Sequence, residues 1–228
     1  MHLINALLGF VMPYLQFIPV SSPWMDKWGG VAYYNPTAGG GSMLINAGDG
    51  AGEPMNVIIS GLSSPAVLTF DGALNFARAI GFSEECFGLH LGGLMPADLG
   101  DGNGWVNQTI ELRQDYGSAG GGTCLESLVG GNHFRIFVQN GTAADSGALF
   151  LAVSREEPLS KHHDIVPDGY NIGRDQLVSA AVGETWFHGV KYSTTAQNIT
   201  GLLAAGSNGI NHGIALDGIV KLLTVTID

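Results

Sequence analysis

The chain has 228 residues, of which 45% are hydrophobic and 13% are charged, and its formal net charge is −11 at pH 7. This length suits one large domain or two small ones, and the absence of a break in composition favours one. The 9 Lys and Arg residues are scattered and give no footprint for a phosphate backbone, and the acidity disfavours an anionic membrane surface. We therefore expect no nucleic-acid partner.

The chain begins with an apolar N-terminal arm. Its segment MHLINALLGFVMPYLQFIPV has no Lys or Arg before Lys27 and no obvious small-x-small cleavage site before Pro13. It is also too short and too interrupted by proline for a membrane span. We expect residues 1–30 to pack against the body or against a neighbouring copy, which would make a homo-oligomer, and residues 31–228 to form one domain.

The next segments predict a strand, a helix and two further strands. PMNVIISG, from Pro54 to Gly61, is a continuous apolar run that favours a buried strand. Ser63-Ser64-Pro65 supplies a cap and a proline suited to a first turn, so we expect a helix from there to Gly81. The pattern then predicts a strand at Cys86 to Leu91, a loop at Gly92 to Gly104 and a strand at Trp105 to Arg113.

A strand hairpin is predicted in the middle of the chain. Thr123-x-x-Glu126 has the spacing of a capping box and predicts a short helix that ends at Gly130-Gly131. NHFRIFVQ then alternates with period two, so we expect His133 and Arg135 on one face of a strand. GALFLAVS, from Gly147 to Ser154, predicts the antiparallel partner of that strand.

After this hairpin the pattern returns to helix and then to strand. Asn171 can cap a helix that runs to Gly183, and DGIVKLLTVTID at residues 217–228 predicts a closing strand. Together these segments predict an α+β domain with a mixed or mostly antiparallel sheet, a few helices and long glycine-rich loops.

Four segments, in this order, resemble the LssY C-terminal-type domain family: PMNVIISG, GNHFRIFVQNG, GALFLAVS and KHHDIVPDGYNIGRDQLV, the last at residues 161–178. That family has a strand and helix, a His-x-Arg strand, an Ala-rich strand and a His-His…Pro-Asp…Arg-Asp segment, in the order found here. The resemblance covers about residues 54–182. The chain departs from it at Asn132, where the family usually has a histidine, and in a glycine-rich insertion between Gly92 and Gly122. Because the function of the family is undefined, the resemblance implies where a site lies and leaves its chemistry open.

The hairpin and segment 161–178 concentrate imidazole, carboxylate and guanidinium groups. The hairpin returns the chain beside His133 just as this polar segment begins, so we expect the groups to converge. The expected pocket contains His133, one of His162 and His163, and Asp164 or Asp168, with Arg135 or Arg174 at its rim. Such groups suit a divalent metal such as zinc or manganese, an acid–base pair, or an anion held by the arginines.

Two classes of function are compatible with this set of residues. The sharper hypothesis is a hydrolase of phosphate or other esters. Its catalytic groups would be His133, Arg135, His163, Asp168 and Arg174, and its metal ligands would come from His133, His162, His163, Asp164 and Asp168. The alternative is a non-catalytic extracellular binding or assembly protein, with a small molecule or glycan as ligand, in which the polar network is structural.

The cysteines and the glycosylation sequons indicate the cellular compartment of the protein. Cys86 and Cys124 can form a disulfide in an oxidising compartment or stay as two buried thiols in a reducing one. Glycosylation sequons occur at Asn107, Asn140 and Asn198. We therefore expect a secreted, disulfide-bonded glycoprotein, with the cytoplasm as the alternative.

Overall fold

The computed structural model describes residues 30–88 and 93–228. These residues form a single α+β domain on a mostly antiparallel, curled sheet, as predicted. The arm predicted for residues 1–30 lies, apart from Gly30, outside the described residues. Within the described part of the chain, no helix is long and apolar enough to cross a membrane.

The described residues contain three α-helices and eleven strands. The helices are α1 (Phe70–Ala79), α2 (Gly122–Val129) and α3 (Gly169–Ala181). The strands are β1 (Leu44–Gly48), β2 (Ala51–Ile59), β3 (Phe82–Glu84), β4 (Pro96–Asp98), β5 (Trp105–Asn107), β6 (Ile110–Gln114), β7 (Gly131–Asn140), β8 (Asp145–Glu156), β9 (Gly183–Phe187), β10 (Val190–Thr200) and β11 (Ile219–Ile227).

One sheet carries most of the strands. Its order is β3-β6-β7-β8-β2-β11-β10-β9, with β1 also paired to β2, while β4 and β5 form a separate hairpin. The β11–β2 pair is parallel and the other pairs are antiparallel, which confirms the predicted mixed or mostly antiparallel sheet. The predicted hairpin is the β7–β8 pair, in which His133 lies opposite Ser154.

Each face of the sheet covers a hydrophobic core, because β2, β7 and β8 are buried on both sides. The first core contains side chains of α1 and α3 together with Phe134 and Ile136 of β7. The second contains Phe137 of β7 with Phe150 and Met55. Successive residues of β7 thus enter opposite cores, which follows from the alternation of side chains along a strand.

Several predicted boundaries were wrong because local hydrogen bonding overrides the pattern. Pro65 begins a separate 3-10 turn, Pro65–Leu68, and the α-helix begins after Thr69, whose hydroxyl accepts from the N–H of Gly72. Cys86–Gly88 is also a 3-10 turn and not a strand. The predicted loop at residues 92–104 contains β4, which pairs with β5.

Two helix caps also differ from the expectation. Thr123 and Glu126 make no capping box, because α2 begins at Gly122 and the side chain of Glu126 turns inward to Arg113. Helix α3 begins before Asn171, with Asp168 at its N-cap in the left-handed region.

The predicted disulfide is present. The Sγ atoms of Cys86 and Cys124 are bonded at 2.09 Å, and the bond joins the turn after β3 to helix α2. It therefore fixes α2 against the edge of the sheet where β6, β7 and β8 carry their charged side chains.

Candidate functional site

Three neighbouring strands place charged side chains on one face of the sheet. Arg113 of β6 lies opposite His133 of β7, and Glu111 lies opposite Arg135. On the other side of β7, Glu156 of β8 lies opposite Gly131. Residues two apart on a strand, and residues opposite each other in an antiparallel pair, share a face. The register of the hairpin with β6 therefore assembles Glu111, Arg113, His133, Arg135 and Glu156, and packing of β2, α2 and the turn after β3 adds three further carboxylates. We call it the charged cluster; its members are Glu53, Glu85, Glu111, Arg113, Glu126, His133, Arg135 and Glu156.

Arg113 is the centre of the charged cluster. Its guanidinium nitrogens lie 2.8 Å from Glu156, 2.9 Å from Glu111 and 3.2 Å from both Glu126 and Glu85. The planar, five-donor guanidinium suits such multiple contacts with carboxylates. Arg113 is thus neutralised by carboxylates drawn from β6, β8, α2 and the turn after β3.

Gly131 makes room for one of these carboxylates. A Cβ atom at this position would lie 2.6 Å from Cγ of Glu126, closer than side chains approach. The absence of a side chain on β7 therefore lets Glu126 enter the sheet face beside Glu156. A larger residue at Gly131 would push α2 away from the strand.

Arg135 forms the inner end of the charged cluster. Its Nη1 donates to Glu53 Oε2 at 3.2 Å, and its Nε lies 3.1 Å from Glu111 Oε2. Nη1 also lies 3.0 Å from Nε2 of His133. Since a guanidinium can only donate, Nε2 of His133 accepts, and the proton of the neutral ring is on Nδ1.

His133 is buried and electrically neutral. Its Nδ1 faces Oε1 of Glu156 at 3.3 Å, and 1% of the side chain is exposed. Burial lowers the pKa of His133 well below its usual value, and the positive charges of Arg135 and Arg113 lower it further. His133 therefore lies as a neutral ring between Arg135 and Glu156.

Burial also changes the acidity of the carboxyl groups beside Arg113. It raises the pKa of Glu126 to about 7, an effect that the charge of Arg113 opposes and that of Glu156 reinforces. The pKa of Glu156 is raised mainly by burial as well, again against the charge of Arg113. Burial thus brings the titration of Glu126 close to neutral pH.

His163 connects the charged cluster to the surface. Its Nδ1 lies 3.4 Å from Oε2 of Glu156, and 26% of its side chain is exposed. Burial, followed by the charge of Arg113, lowers its pKa, so the ring is neutral near pH 7. Both His162 and His163 have φ 59°, in the left-handed region, and not the extended backbone of a strand.

A cleft of about 590 Å³ lies over the disulfide. We call it the disulfide cleft; it is lined by Glu85, Cys86, Arg113, Cys124, Ser127, Leu128, Leu159, His162 and His163. Leu128 and Leu159 are 61% and 55% exposed, so the mouth is apolar while the floor carries Arg113 and His163. Both of the predicted histidines line this cleft, and His163 is the one that contacts Glu156.

The other predicted site residues take different places. The carboxylate of Asp168 accepts from Nδ2 of Asn171 at 2.6 Å, at the start of α3. Arg174 contacts Asp175 and makes two hydrogen bonds to the carboxylate of Asp217. Asp164 is placed by backbone hydrogen bonds to Glu157 and Lys161. The carboxylate that meets His133 and His163 is that of Glu156, which the sequence had not singled out.

The missed residues carried a signal in the sequence. Glu111 and Arg113 alternate along β6, and Glu156 ends the apolar run of β8, in a chain with few charges. Charged residues inside strands that pack in a core must be paired, so their spacing predicts a buried network. The partner of each residue still depends on the strand register, which the pattern alone does not give.

The described residues contain no group of three or more His, Cys, Asp or Glu side chains placed to hold a metal ion. The zinc or manganese site predicted from His133, His162, His163, Asp164 and Asp168 stays a prediction. Comparisons of the chain with protein-family models, curated proteins and solved structures find no match, so the resemblance to the LssY C-terminal-type domain family also stays a prediction.

Proposed function

We propose that the protein is an extracellular binding protein that holds a small ligand in the disulfide cleft. The ligand has an apolar part and is uncharged or cationic. The observation that carries this proposal is the pairing of an open, apolar mouth at Leu128 and Leu159 with a floor whose cation is already neutralised. Apolar walls with a few convergent polar groups are typical of small-molecule sites.

The charge on the floor of the cleft argues against an anionic ligand. Arg113 contacts four carboxylates, and one of them, Glu85, also lines the cleft. An incoming phosphate would have to displace a carboxylate from Arg113 and would meet the remaining negative charges. Arg135 and Arg174 are paired with carboxylates in the same way. This favours a neutral or cationic group over a phosphate ester.

The disulfide and the glycosylation sequons support an extracellular location. Cys86 and Cys124 are bonded, which is typical of proteins in oxidising compartments. Asn107, Asn140 and Asn198 are all exposed, so each sequon is open to a glycosylating enzyme. Mass spectrometry of the protein expressed in secreting cells tests this, and three unmodified asparagines with two alkylatable thiols would contradict it.

Dye binding tests the ligand preference of the disulfide cleft. We expect the uncharged dye Nile red to bind with a stronger fluorescence change than the anionic dye anilinonaphthalene sulfonate. Leu128→Gln should weaken Nile red binding by about fivefold, because it removes part of the apolar wall. Leu125→Gln is the matched control, since Leu125 is an exposed leucine of the same helix that does not line the cleft. Equal effects of the two variants would contradict the proposal.

A hydrolase of uncharged esters is the second candidate, and the His163–Glu156 contact favours it. A neutral imidazole on the cleft wall can take a proton from water while the water oxygen attacks the ester carbonyl carbon. The carbon–oxygen bond to the alcohol then breaks, and His163 returns the proton to the leaving alcohol. Glu156 would stabilise the imidazolium formed in between.

His163→Asn tests this candidate, because asparagine tolerates the left-handed backbone but cannot act as a base. We expect hydrolysis of p-nitrophenyl acetate to fall by roughly 10²-fold in this variant. His162→Asn is the control, since His162 lines the same cleft with the same φ and makes no ion pair among the described residues. Loss of activity in both variants, or in neither, would remove His163 as the base.

A divalent metal would give this hydrolase a different route. A carboxylate beside a histidine is the arrangement that orients a metal-binding imidazole, and Glu156 stands in that relation to His163. Elemental analysis of untagged protein, with and without His163→Asn, measures zinc and manganese directly. Stoichiometric metal that is lost in the variant would support a metal-assisted reaction, whereas metal-free active protein would exclude one.

A further inference from the structure

A second cleft lies on the opposite face of β7, away from the charged cluster. It has a volume of about 290 Å³ and is bounded by the end of β6, the turn that follows it, and the second half of α3. Because Asn132 alternates with His133 along β7, its side chain faces this cleft while His133 faces the charged cluster. We call it the polar cleft; its polar lining consists of Gln114, Asp115, Tyr116, Asn132, Arg155 and Gln176.

Asn132 forms part of the inner wall of the polar cleft. The residue is 2% exposed, and its Nδ2 donates to the carbonyl of Gly173 at 2.8 Å. Its Oδ1 is buried against Gly173 of α3, where a Cβ atom would lie 2.7 Å away. Asn132 therefore ties β7 to α3 behind the cleft, and the side chains in front of it are the ones that a ligand can reach.

The other side chains of the polar cleft provide both acceptors and donors. Asp115 is buried, and its Oδ1 accepts from the N–H of Gly117 at 2.8 Å, which fixes the carboxylate at the wall. Across the cleft, Nη1 of Arg155 donates to Oε1 of Gln176 at 3.0 Å, which holds both side chains in place. Planar carboxylate, amide and guanidinium groups fixed in this way can each engage two neighbouring hydroxyl groups.

Tyr116 adds an aromatic surface. The residue is 42% exposed, and its hydroxyl donates to the carbonyl of Gly130 at 2.7 Å, so the ring is held at the rim. The residue has φ 47°, in the left-handed region that a bulky side chain rarely adopts. Strained backbone of this kind concentrates at ligand sites. An aromatic ring beside fixed polar groups suits a molecule with both C–H and O–H faces.

From this geometry we infer that the polar cleft binds one neutral sugar residue through Asp115, Arg155 and the ring of Tyr116. The volume is at the lower end of the range of roughly 300–1,000 Å³ found for small-molecule sites, which fits a single hexose-sized unit. Asp115 accepts from sugar hydroxyls, and Arg155 donates to them. The carboxylate of Asp115 disfavours an anionic ligand at the same place. This site does not depend on the disulfide cleft or on the function proposed for it.

Nuclear magnetic resonance of the whole protein tests the inference. The probes are the methyl glycosides of glucose, mannose, galactose and N-acetylglucosamine, titrated into uniformly labelled protein. We expect at least one of them to shift the backbone amides of the polar cleft with a Kd in the millimolar range or below. The amides of the disulfide cleft should not shift. Ethylammonium is titrated in parallel, because a cation could also approach Asp115.

Three variants locate the binding. Asp115→Asn keeps the shape and the acceptor for Gly117, and Tyr116→Ala removes the ring; each should weaken sugar binding by about tenfold or more while the spectrum stays dispersed. Gln197→Ala is the control, since Gln197 is exposed on β10 away from the cleft and should leave binding unchanged. The inference is overturned if no glycoside shifts these amides, if ethylammonium alone does so, or if Asp115→Asn binds the sugar as well as the parent protein.

Discussion

Arg113 and Arg174 both form ion pairs with carboxylates, but the two sets of carboxylates differ in their exposure to water. Arg113 lies among carboxylates that are 0–12% exposed. The partners of Arg174, by contrast, are Asp217 and Asp175, which are 36% and 56% exposed. Arg174 itself is 3% exposed, but water reaches its carboxylate partners and not those of Arg113, so the loss of one partner should cost severalfold less free energy at Arg174. In the buried set, burial raises the pKa of Glu126 to about 7. In the exposed set, the pKa of Asp217 is lowered, mainly by its hydrogen bond from Arg174.

Removing the guanidinium at the centre of the charged cluster should have the largest effect. Arg113→Met leaves buried carboxylates without their counter-charge, and we expect the free energy of unfolding at pH 7 to fall by about 3–5 kcal/mol. Urea denaturation measures it. Arg155→Met is the control, because Arg155 is only partly buried and its hydrogen bond is to the neutral Gln176. A second change, Glu126→Gln, should recover part of the loss; a loss under about 1 kcal/mol in Arg113→Met would mean that the cluster relaxes or hydrates freely.

The pH dependence of stability sharpens the comparison. The pKa of Glu126 is about 7 in the folded protein against an ordinary 4.5, so the folded state binds the proton more tightly than the unfolded state. The stability that this group contributes is full below pH 4.5 and is lost as pH rises through 7. His133 acts in the opposite sense, because its lowered pKa removes stability as pH falls below 6.5. The melting temperature of Glu126→Gln, measured relative to that of the parent protein, should therefore be higher at pH 8 than at pH 5. A melting-temperature difference that is constant with pH would contradict the assignment.

The smallest effect is expected at the exposed carboxylate partners of Arg174. Asp217→Asn removes one charge from the Arg174 pair, but Arg174 keeps its contact with Asp175 and its hydrogen bond to the carbonyl of Ile219. We expect a loss of about 0.2–1 kcal/mol that shrinks further in high salt. Urea denaturation at low and high ionic strength measures both. A larger, salt-independent loss would show that this pair is shielded from water in the same way as the charged cluster.

More of the fold than of the candidate site could be predicted from the sequence. Period-two alternation in β7 and the apolar run of β8 are local signals, so the hairpin and the shared face of His133 and Arg135 were found correctly. Glu156 could not be named as the partner of His133, because that contact depends on the register of β7 with β8, which shifts at a bulge between Val138 and Asn140. Glu126 was assigned to a cap, since its spacing from Thr123 fits one, and only tertiary packing sends its carboxylate to Arg113 instead. Asp168 and Arg174 were placed near His133 by sequence proximity, whereas the first turns of α3 carry them to Asn171 and Asp217.

The parallel pairing of β11 with β2 has a consequence for how the chain reaches its folded state. β11 lies between β2 and β10, so Val57, Ile58 and Ile59 of β2 gain that neighbour only after the intervening sequence has been made. The N–H of Val225, for example, bonds to Ser63, which is 162 positions earlier. Forming a contact of such long range costs the entropy of closing a large loop before the contact contributes any stabilisation. Folding that depends on such contacts takes milliseconds to seconds. During synthesis these three residues therefore stay without their β11 partners, and a chaperone that shields them until β11 leaves the ribosome would raise the yield of folded protein.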